Sequence, residues 1–233
     1  ATAMPIIYSN TITNKNMKTK FFLMILLIFP TVLFAQGSFS DTTEEKIIDM
    51  EINSVIYKDP TFSSPSDEDP NWNKLEKTLS KKYPQINASR LILGAKIRYY
   101  SIKKSWEKFA DAYLTSLEKY DKIQEMTDHT KMSWTVNNIL YNSIFKNVNN
   151  KKLLLRAAKQ SKKIIDNPSS IKPGADKEEY SSNNIDTYAN LLYKGGKTKK
   201  AIEWQQKALA YTKGLNKEFK MNLENMKKGI PTW

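Results

Sequence analysis

The feature that most restricts the fold of this chain is the glycine pair at positions 195 and 196, which separates two apolar patterns of helical period. The first pattern consists of Ile185, Tyr188, Ala189, Leu191 and Leu192. The second pattern consists of Ala201, Trp204, Ala208 and Tyr211. Two structures would place glycines here: a loop that cradles a phosphate, or a turn between two packed helices.

The residues around the glycine pair favour the turn. A phosphate loop requires a strand before it and a fuller pattern such as GxxxxGK[ST] or GxGxxG, and neither pattern is found here. Glycine also ends helices readily, because a left-handed backbone brings it no steric clash. We therefore predict a helix–turn–helix hairpin across residues 186–210.

Apolar residues recur at helical spacing along most of the remaining chain, and no stretch shows the alternation of a strand. Further helices are predicted at 44–58, between Pro70 and Pro84, and at 86–100, 105–120, 130–148, 151–166 and 216–228. The chain is therefore expected to be all-α.

Two details of these helices are specific enough to check. Asp69 is the predicted N-cap of the second helix, with Pro70 in its first turn. In the helix at 130–148, we expect Trp134, Tyr141 and Phe145 to lie on one side. The polar stretches 59–70 and 169–184 are predicted to be connectors.

Composition removes several classes of site. The chain has 233 residues, no cysteine and one histidine, His129. Disulfides, thiol catalysis and cysteine-bound metals are thus excluded, and so is any site that needs two imidazoles.

The charge of the chain is strongly basic. The 37 lysines and arginines against 24 acidic residues give a formal net charge of +13, and only three of the cations are arginines. Because arginine is the residue favoured for bidentate recognition of phosphate and guanine, a lysine excess is a weak sign of nucleic-acid binding. The scattered lysine pairs are typical of solvated helix faces, and a surface that binds polyanions is the alternative.

Positions 17–36, MKTKFFLMILLIFPTVLFAQ, have the layout of a secretory signal peptide. Lys18 and Lys20 form a basic start, an apolar run of 14 residues follows from 21 to 34, and Ala35 is small enough for cleavage. A bilayer span usually takes about 20 apolar residues, so an uncleaved anchor is the less favoured alternative. We predict a signal peptide at 17–35 and a secreted or periplasmic location.

The rest of the chain divides by composition. Residues 1–16 do not begin with methionine, so we expect translation to start at Met17 and this segment to be upstream read-through. Residues 36–70 are expected to form a polar lead with a short helix and a loop. Residues 71–233 are expected to form a helical domain.

The stretch 186–210 resembles one unit of the tetratricopeptide (TPR) family, whose helix–turn–helix of about 34 residues carries small residues where the helices cross closely. The matching residues are Ala189, Leu192, Gly196, Ala201 and Ala208. Gln205 departs from the family at a site that is usually aromatic, and Lys213 stands where a closing proline is common. The resemblance implies antiparallel helix pairs stacked as a short TPR-like α-solenoid across 71–233.

A second resemblance covers 71–233 as a whole. Four runs are similar to the helical region downstream of the thioredoxin fold in some secreted bacterial thioredoxin-like proteins: NWNKLEKTLSKKY (71–83), YYSIKKSWEKF (99–109), DTYANLLYKGGKTKKAIEWQQKA (186–208) and KKGIPTW (227–233). The redox activity of that family depends on a CxxC motif, which this chain lacks. The resemblance therefore implies the helical module without the redox chemistry.

No sequence pattern identifies a catalytic residue, a metal site or a cofactor site. Asp67, Glu68 and Asp69 lack the glycine and the oxygen spacing of a calcium loop, and capping with a solvated loop is the favoured interpretation. Asp128 and His129 form a pair without a nucleophile motif beside it. Serine occurs in no GxSxG setting. We therefore expect no enzyme activity, no cofactor and no metal.

The TPR resemblance implies a non-catalytic protein–protein interaction module with a protein or peptide partner. In that family the first helices of the pairs line a groove that takes an extended peptide, and on this alignment Asp186, Asn190, Tyr193 and Lys194 would face the groove. Asn190 is the strongest candidate, because an amide both donates to and accepts from a peptide backbone. The alternative is that these side chains are simply hydrated.

Two other functions stay open at this point. One is a cationic envelope protein that binds anionic polymers or lipid headgroups, and the other is an accessory partner of a thioredoxin-type redox system. We expect no specific nucleic acid and no stable membrane insertion after signal cleavage. The aromatic residues are predicted to be core, while Trp233 either folds back on the last helix or is presented to a partner.

Overall fold

The computed structural model of the chain describes residues 43–59, 61, 64–120, 129–167 and 177–233, with the side chains of 43–45, 129–133 and 177–180 not among them. The predicted signal peptide at 17–35 and the segment 1–16 lie outside these residues. The chain divides into two compact units, residues 1–47 and residues 48–233. Of the first unit only 43–47, the start of the first helix, are described, and all else that follows concerns the second.

The described residues form nine α-helices and one π-helix, and no strand occurs among them. The α-helices are α1 (Thr43–Ile56), α2 (Trp72–Lys82), α3 (Ala88–Ile102), α4 (Trp106–Lys119), α5 (His129–Asn138), α6 (Lys151–Ile165), α7 (Lys177–Lys194), α8 (Thr198–Tyr211) and α9 (Lys217–Lys228). The π-helix, Ile139–Phe145, follows α5 directly. The prediction of an all-α chain is confirmed for this part.

The predicted N-cap of α2 is wrong. Asn71 caps this helix, because its Oδ1 accepts a hydrogen bond of 3.0 Å from the amide of Lys74. Asp69 instead forms an ion pair with Lys108 and accepts from the hydroxyl of Tyr100. Helix α2 therefore begins at Trp72. The indole Nε1 of this residue donates to the Tyr100 hydroxyl at 2.8 Å.

The helix predicted at 130–148 is not one regular α-helix. The π-helix after α5 has hydrogen bonds from residue i to i+5, which turn the chain less per residue than an α-helix does. A side-chain pattern counted at 3.6 residues per turn therefore loses register along this segment. Trp134 is 62 % exposed whereas Phe145 is buried, so the prediction that the two share a side is wrong.

Helix α7 begins within the stretch predicted to be a polar connector. Its first residue is Lys177, so the boundary of the connector at 184 is wrong, and residues 168–176 lie outside the described residues. The side of α7 that packs inward in this region carries polar residues: Ser182, Asn184 and Thr187 are all buried. A helix with a buried polar side gives no apolar periodicity, which explains the error.

The glycine turn is confirmed. Gly196 has φ of +87°, and the amide of Lys197 donates to the carbonyl of Leu192 at 2.8 Å, which closes the end of α7. A Cβ on Gly195 would lie 2.8 Å from Cδ2 of Leu155, so the missing side chain gives room for this leucine of α6. Helix α7 consequently packs against both α6 and α8, and it also contacts the π-helix and α9.

Candidate functional site

The four residues predicted to line a peptide groove lie on α7 and are all buried. We call Asp186, Asn190, Tyr193 and Lys194 the α7 row, since their spacing of four, three and one places them on neighbouring turns of the helix. Asn190 has no exposed surface, and none of the four exceeds 9 %. The alternative that these side chains are hydrated is therefore wrong.

Part of this burial comes from the last five residues, 229–233, which we call the closing segment. Helix α9 ends at Gly229, which has φ of +72° and lies in the left-handed region that glycine adopts without strain. The amide of Ile230 donates to the carbonyl of Asn225 at 2.9 Å. This reversal directs the chain back over the α7 row.

Two hydrogen bonds connect the closing segment to the α7 row. The hydroxyl of Tyr193 donates to the main-chain carbonyl of Ile230 at 3.0 Å. The hydroxyl of Thr232 donates to Oδ1 of Asn190 at 2.7 Å. The row thus binds one backbone group and one side chain of a non-helical segment.

An aromatic cluster completes the contact. The ring of Trp233 meets Phe145 edge to face at a centroid distance of 6.3 Å, and meets Tyr193 in the same manner at 6.0 Å. Trp233 nevertheless stays 51 % exposed. The sequence left two placements open for Trp233, folding back on the last helix or presentation to a partner. Trp233 does fold back, but it packs on the π-helix and α7 instead of the last helix.

The ammonium group of Lys194 lies beside this cluster. Its Nζ donates to the carbonyl of Phe145 at 2.6 Å. The same atom is 5.1 Å from the ring centroid of Trp233 and 5.5 Å from that of Phe145, within the range of cation–π contacts. Burial lowers the pKa of Lys194, because removal from water disfavours the charged form.

Asp186 is the acidic residue of the α7 row, and its pKa is strongly shifted. Burial raises the pKa of its carboxyl group from 3.8 to about 6, and the nearby Glu218 contributes in the same direction. Three amide groups act in the opposite direction by donating to it: Gln205 at 2.6 Å, Asn190 at 3.0 Å and Asn222 at 3.3 Å. The carboxylate therefore fixes one amide each from α7, α8 and α9.

This arrangement connects Asp186 to the closing segment through one residue. Asn190 donates from Nδ2 to Asp186 and accepts at Oδ1 from Thr232, so its amide orientation is determined on both sides. Chemically, the row offers a phenol hydroxyl as a donor, an amide oxygen as an acceptor and a cation beside two aromatic rings.

The other residues considered in the sequence are not brought together. Asp67 forms an ion pair with Lys58 at 2.5 Å, and no cluster of acidic or histidine residues that would hold a metal occurs in the described part of the chain. His129 is the first residue of α5, while Asp128 lies outside the described residues. None of the helices described is long and apolar enough to span a bilayer.

An open cleft of about 710 Å³ lies elsewhere, between α3, α4 and α6. Its lining includes Lys96, Lys108, Asp111 and Arg156. Arg156 contacts Asp111 at 2.5 Å and also binds Glu118 at 2.8 Å, so part of the charge of the cleft is neutralised from within.

Sequence analysis missed several residues that build the site, namely Phe145, Gln205, Asn222 and Thr232. The departure of Gln205 from the aromatic residue of TPR units was the available signal. A buried carboxylate at 186 requires donors, and a phenylalanine at 205 would supply none. Comparison of the chain with protein-family models, with curated proteins and with solved structures gave no match.

Proposed function

We propose that this protein is a secreted or periplasmic, non-catalytic protein–protein interaction module that binds an extended peptide along the α7 row. The observation that carries the proposal is the closing segment itself. The row receives a non-helical stretch of chain through a hydroxyl, an amide and a pair of aromatic rings. A surface that accommodates such a segment has the chemistry needed for peptide recognition.

We further propose that the helices form antiparallel pairs stacked as a short TPR-like α-solenoid. Ala189, Ala201 and Ala208 support this arrangement, since all three are fully buried where α7, α8 and their neighbours pack. Small residues at such positions allow two backbones to approach closely. Gly195, in contact distance of Leu155, has the same effect between α6 and the turn.

The test begins with selection of peptides from a random 12-residue display library on the full chain and on its Trp233→Ala variant. The affinity of each enriched peptide is then measured for two further variants. Tyr193→Phe, made in the Trp233→Ala chain so that the closing segment does not compensate, removes only the hydroxyl of the α7 row. Leu215→Ala changes a side chain that is 80 % exposed and serves as the control. We expect Tyr193→Phe to weaken binding about fivefold to tenfold, the value of one hydrogen bond, and Leu215→Ala to leave it unchanged. Failure to enrich any peptide on either chain, or equal affinities for all variants, would refute the proposal.

A second candidate function, the binding of anionic polymers, is supported by the surface of α8 and its flanks. Five exposed lysines lie here against a single exposed acid, Glu203, and none of them forms an ion pair with another residue of the described part. These lysines are Lys197, Lys199, Lys200, Lys207 and Lys213.

Polyphosphate titration distinguishes this candidate. Replacing the five lysines by glutamine should weaken binding and flatten its dependence on salt, because fewer counterions are displaced. The matched control replaces five exposed lysines elsewhere, namely Lys74, Lys77, Lys81, Lys151 and Lys152, with the same loss of charge. Equal losses in both variants would mean that only net charge matters, and would exclude an α8 site.

A further inference from the structure

We propose that the ligand of the α7 row is an extended segment in which a hydroxyl residue is followed by a large aromatic residue, an inference that rests on the proposed function. The closing segment is then an intramolecular substitute for this ligand, which the ligand can displace. The partner is thereby defined by chemistry: its aromatic ring takes the position of Trp233 and its hydroxyl takes that of Thr232.

The position of Trp233 selects for an aromatic ring. Phe145 and Tyr193 each present an edge-to-face contact to it. The buried ammonium of Lys194 is held 5.1 Å from its centroid, and this cation is attracted to a π-face but gains nothing from an aliphatic chain. An aliphatic residue in this position would therefore lose both kinds of contact.

The position of Thr232 selects for a donor. Asn190 is fully buried and already donates from Nδ2 to Asp186, so its Oδ1 needs a donor from the bound segment. Tyr193 in turn needs an acceptor, which any peptide carbonyl supplies. An incoming segment must meet both requirements, or it leaves buried polar groups without partners.

The closing segment itself is held at few points. Ile230 and Trp233 remain about half exposed, and Pro231 is also exposed. The two hydrogen bonds above connect the segment to the α7 row. Helix α9 ends before it, with its own N-cap at Asn216 and a glycine at Gly229. The segment can therefore leave by rotation at Gly229 without unwinding α9.

The experiment measures binding of a fluorescein-labelled peptide, acetyl-Gly-Ile-Pro-Thr-Trp-amide, by polarisation. Three full-length chains are compared: the unaltered chain, Trp233→Ala, and Trp134→Ala. The last is a matched control, because it removes another exposed indole, 62 % exposed against 51 % for Trp233, outside the row. In the unaltered chain the row is open only part of the time, and apparent affinity falls in proportion to that fraction.

We expect Trp233→Ala to bind the peptide at least about tenfold more tightly than the unaltered chain, which corresponds to a row open about one tenth of the time or less. Trp134→Ala should behave as the unaltered chain does. A peptide with alanine in place of tryptophan should bind Trp233→Ala at least about tenfold more weakly, and a peptide with valine in place of threonine should also lose affinity.

Three results would overturn the inference: equal binding by the unaltered chain and Trp233→Ala, no binding by Trp233→Ala, or equal binding of the alanine-substituted peptide. A dimer of the unaltered chain that dissociates on adding the peptide would also overturn it, because the segment would then occupy the row of a second copy. If the display library yields row-dependent peptides without aromatic residues, the proposed function stands and this inference alone fails.

Discussion

Replacing Asp186 by asparagine should change how the stability of this protein depends on pH. Asp186 is 5 % exposed, and its pKa is raised from 3.8 to about 6, mainly by burial. A difference of about two pKa units corresponds to about 3 kcal/mol of unfavourable free energy for ionising this group in the folded protein. The substitution keeps the shape of the side chain and removes its ionisation.

The sign follows from the protons bound in each state. Between pH 3.8 and about 6 the folded chain keeps the proton of Asp186, whereas the unfolded chain has released it. The free energy of unfolding therefore falls as pH rises through this window, and the loss is complete above about pH 7. Relative to Asp186→Asn, the unaltered chain should lose about 3 kcal/mol between pH 3 and pH 7.5.

The assay is urea unfolding at several pH values in this range, followed by circular dichroism. Only the difference between the two chains is interpreted, because the other carboxyl groups contribute equally to both. Glu51→Gln provides a control of opposite sign: Lys82 donates to Glu51 and lowers the pKa of that carboxyl, so its contribution is lost as pH falls. A difference for Asp186→Asn that stays constant with pH would refute the reasoning.

Three further predictions concern the same region. Gly195→Ala should lower the free energy of unfolding by about 1–3 kcal/mol, because the new Cβ would lie 2.8 Å from Leu155. Adding Leu155→Ala should relieve part of this cost in a double-mutant cycle, and strictly additive effects of the two substitutions would contradict the prediction. Tyr193→Phe should lower it by about 1 kcal/mol and speed amide exchange in the closing segment, and unchanged exchange would count against the contact. Gln205→Leu removes the donor that lies 2.6 Å from the Asp186 carboxylate, so the pKa of Asp186 should rise, as measured by carbon NMR of its carboxyl group. A fall in this pKa would show that the Gln205 amide does not stabilise the charge.

Local sequence patterns are enough to predict the class of fold and most helix positions. Apolar residues at helical spacing identify a helix from local information alone, as with Trp72, Leu75 and Leu79, which are buried together on α2. The turn at Gly195-Gly196 was also predictable, because the left-handed backbone at Gly196 is a local property of glycine. Where the buried side of a helix is polar, as at Ser182 and Asn184 of α7, the same method fails.

The surroundings of the α7 row, in contrast, depend on tertiary packing. The sequence pattern selects Asp186, Asn190, Tyr193 and Lys194 as a set, but it does not predict that residues up to 49 positions away contact them. Two of the three amide donors to Asp186 come from α8 and α9, and the rings around Trp233 come from the π-helix and α7. The burial of the α7 row, the raised pKa of Asp186 and the position of the closing segment over the row all depend on packing between segments distant in the chain. Such packing leaves no local periodicity from which it could be predicted.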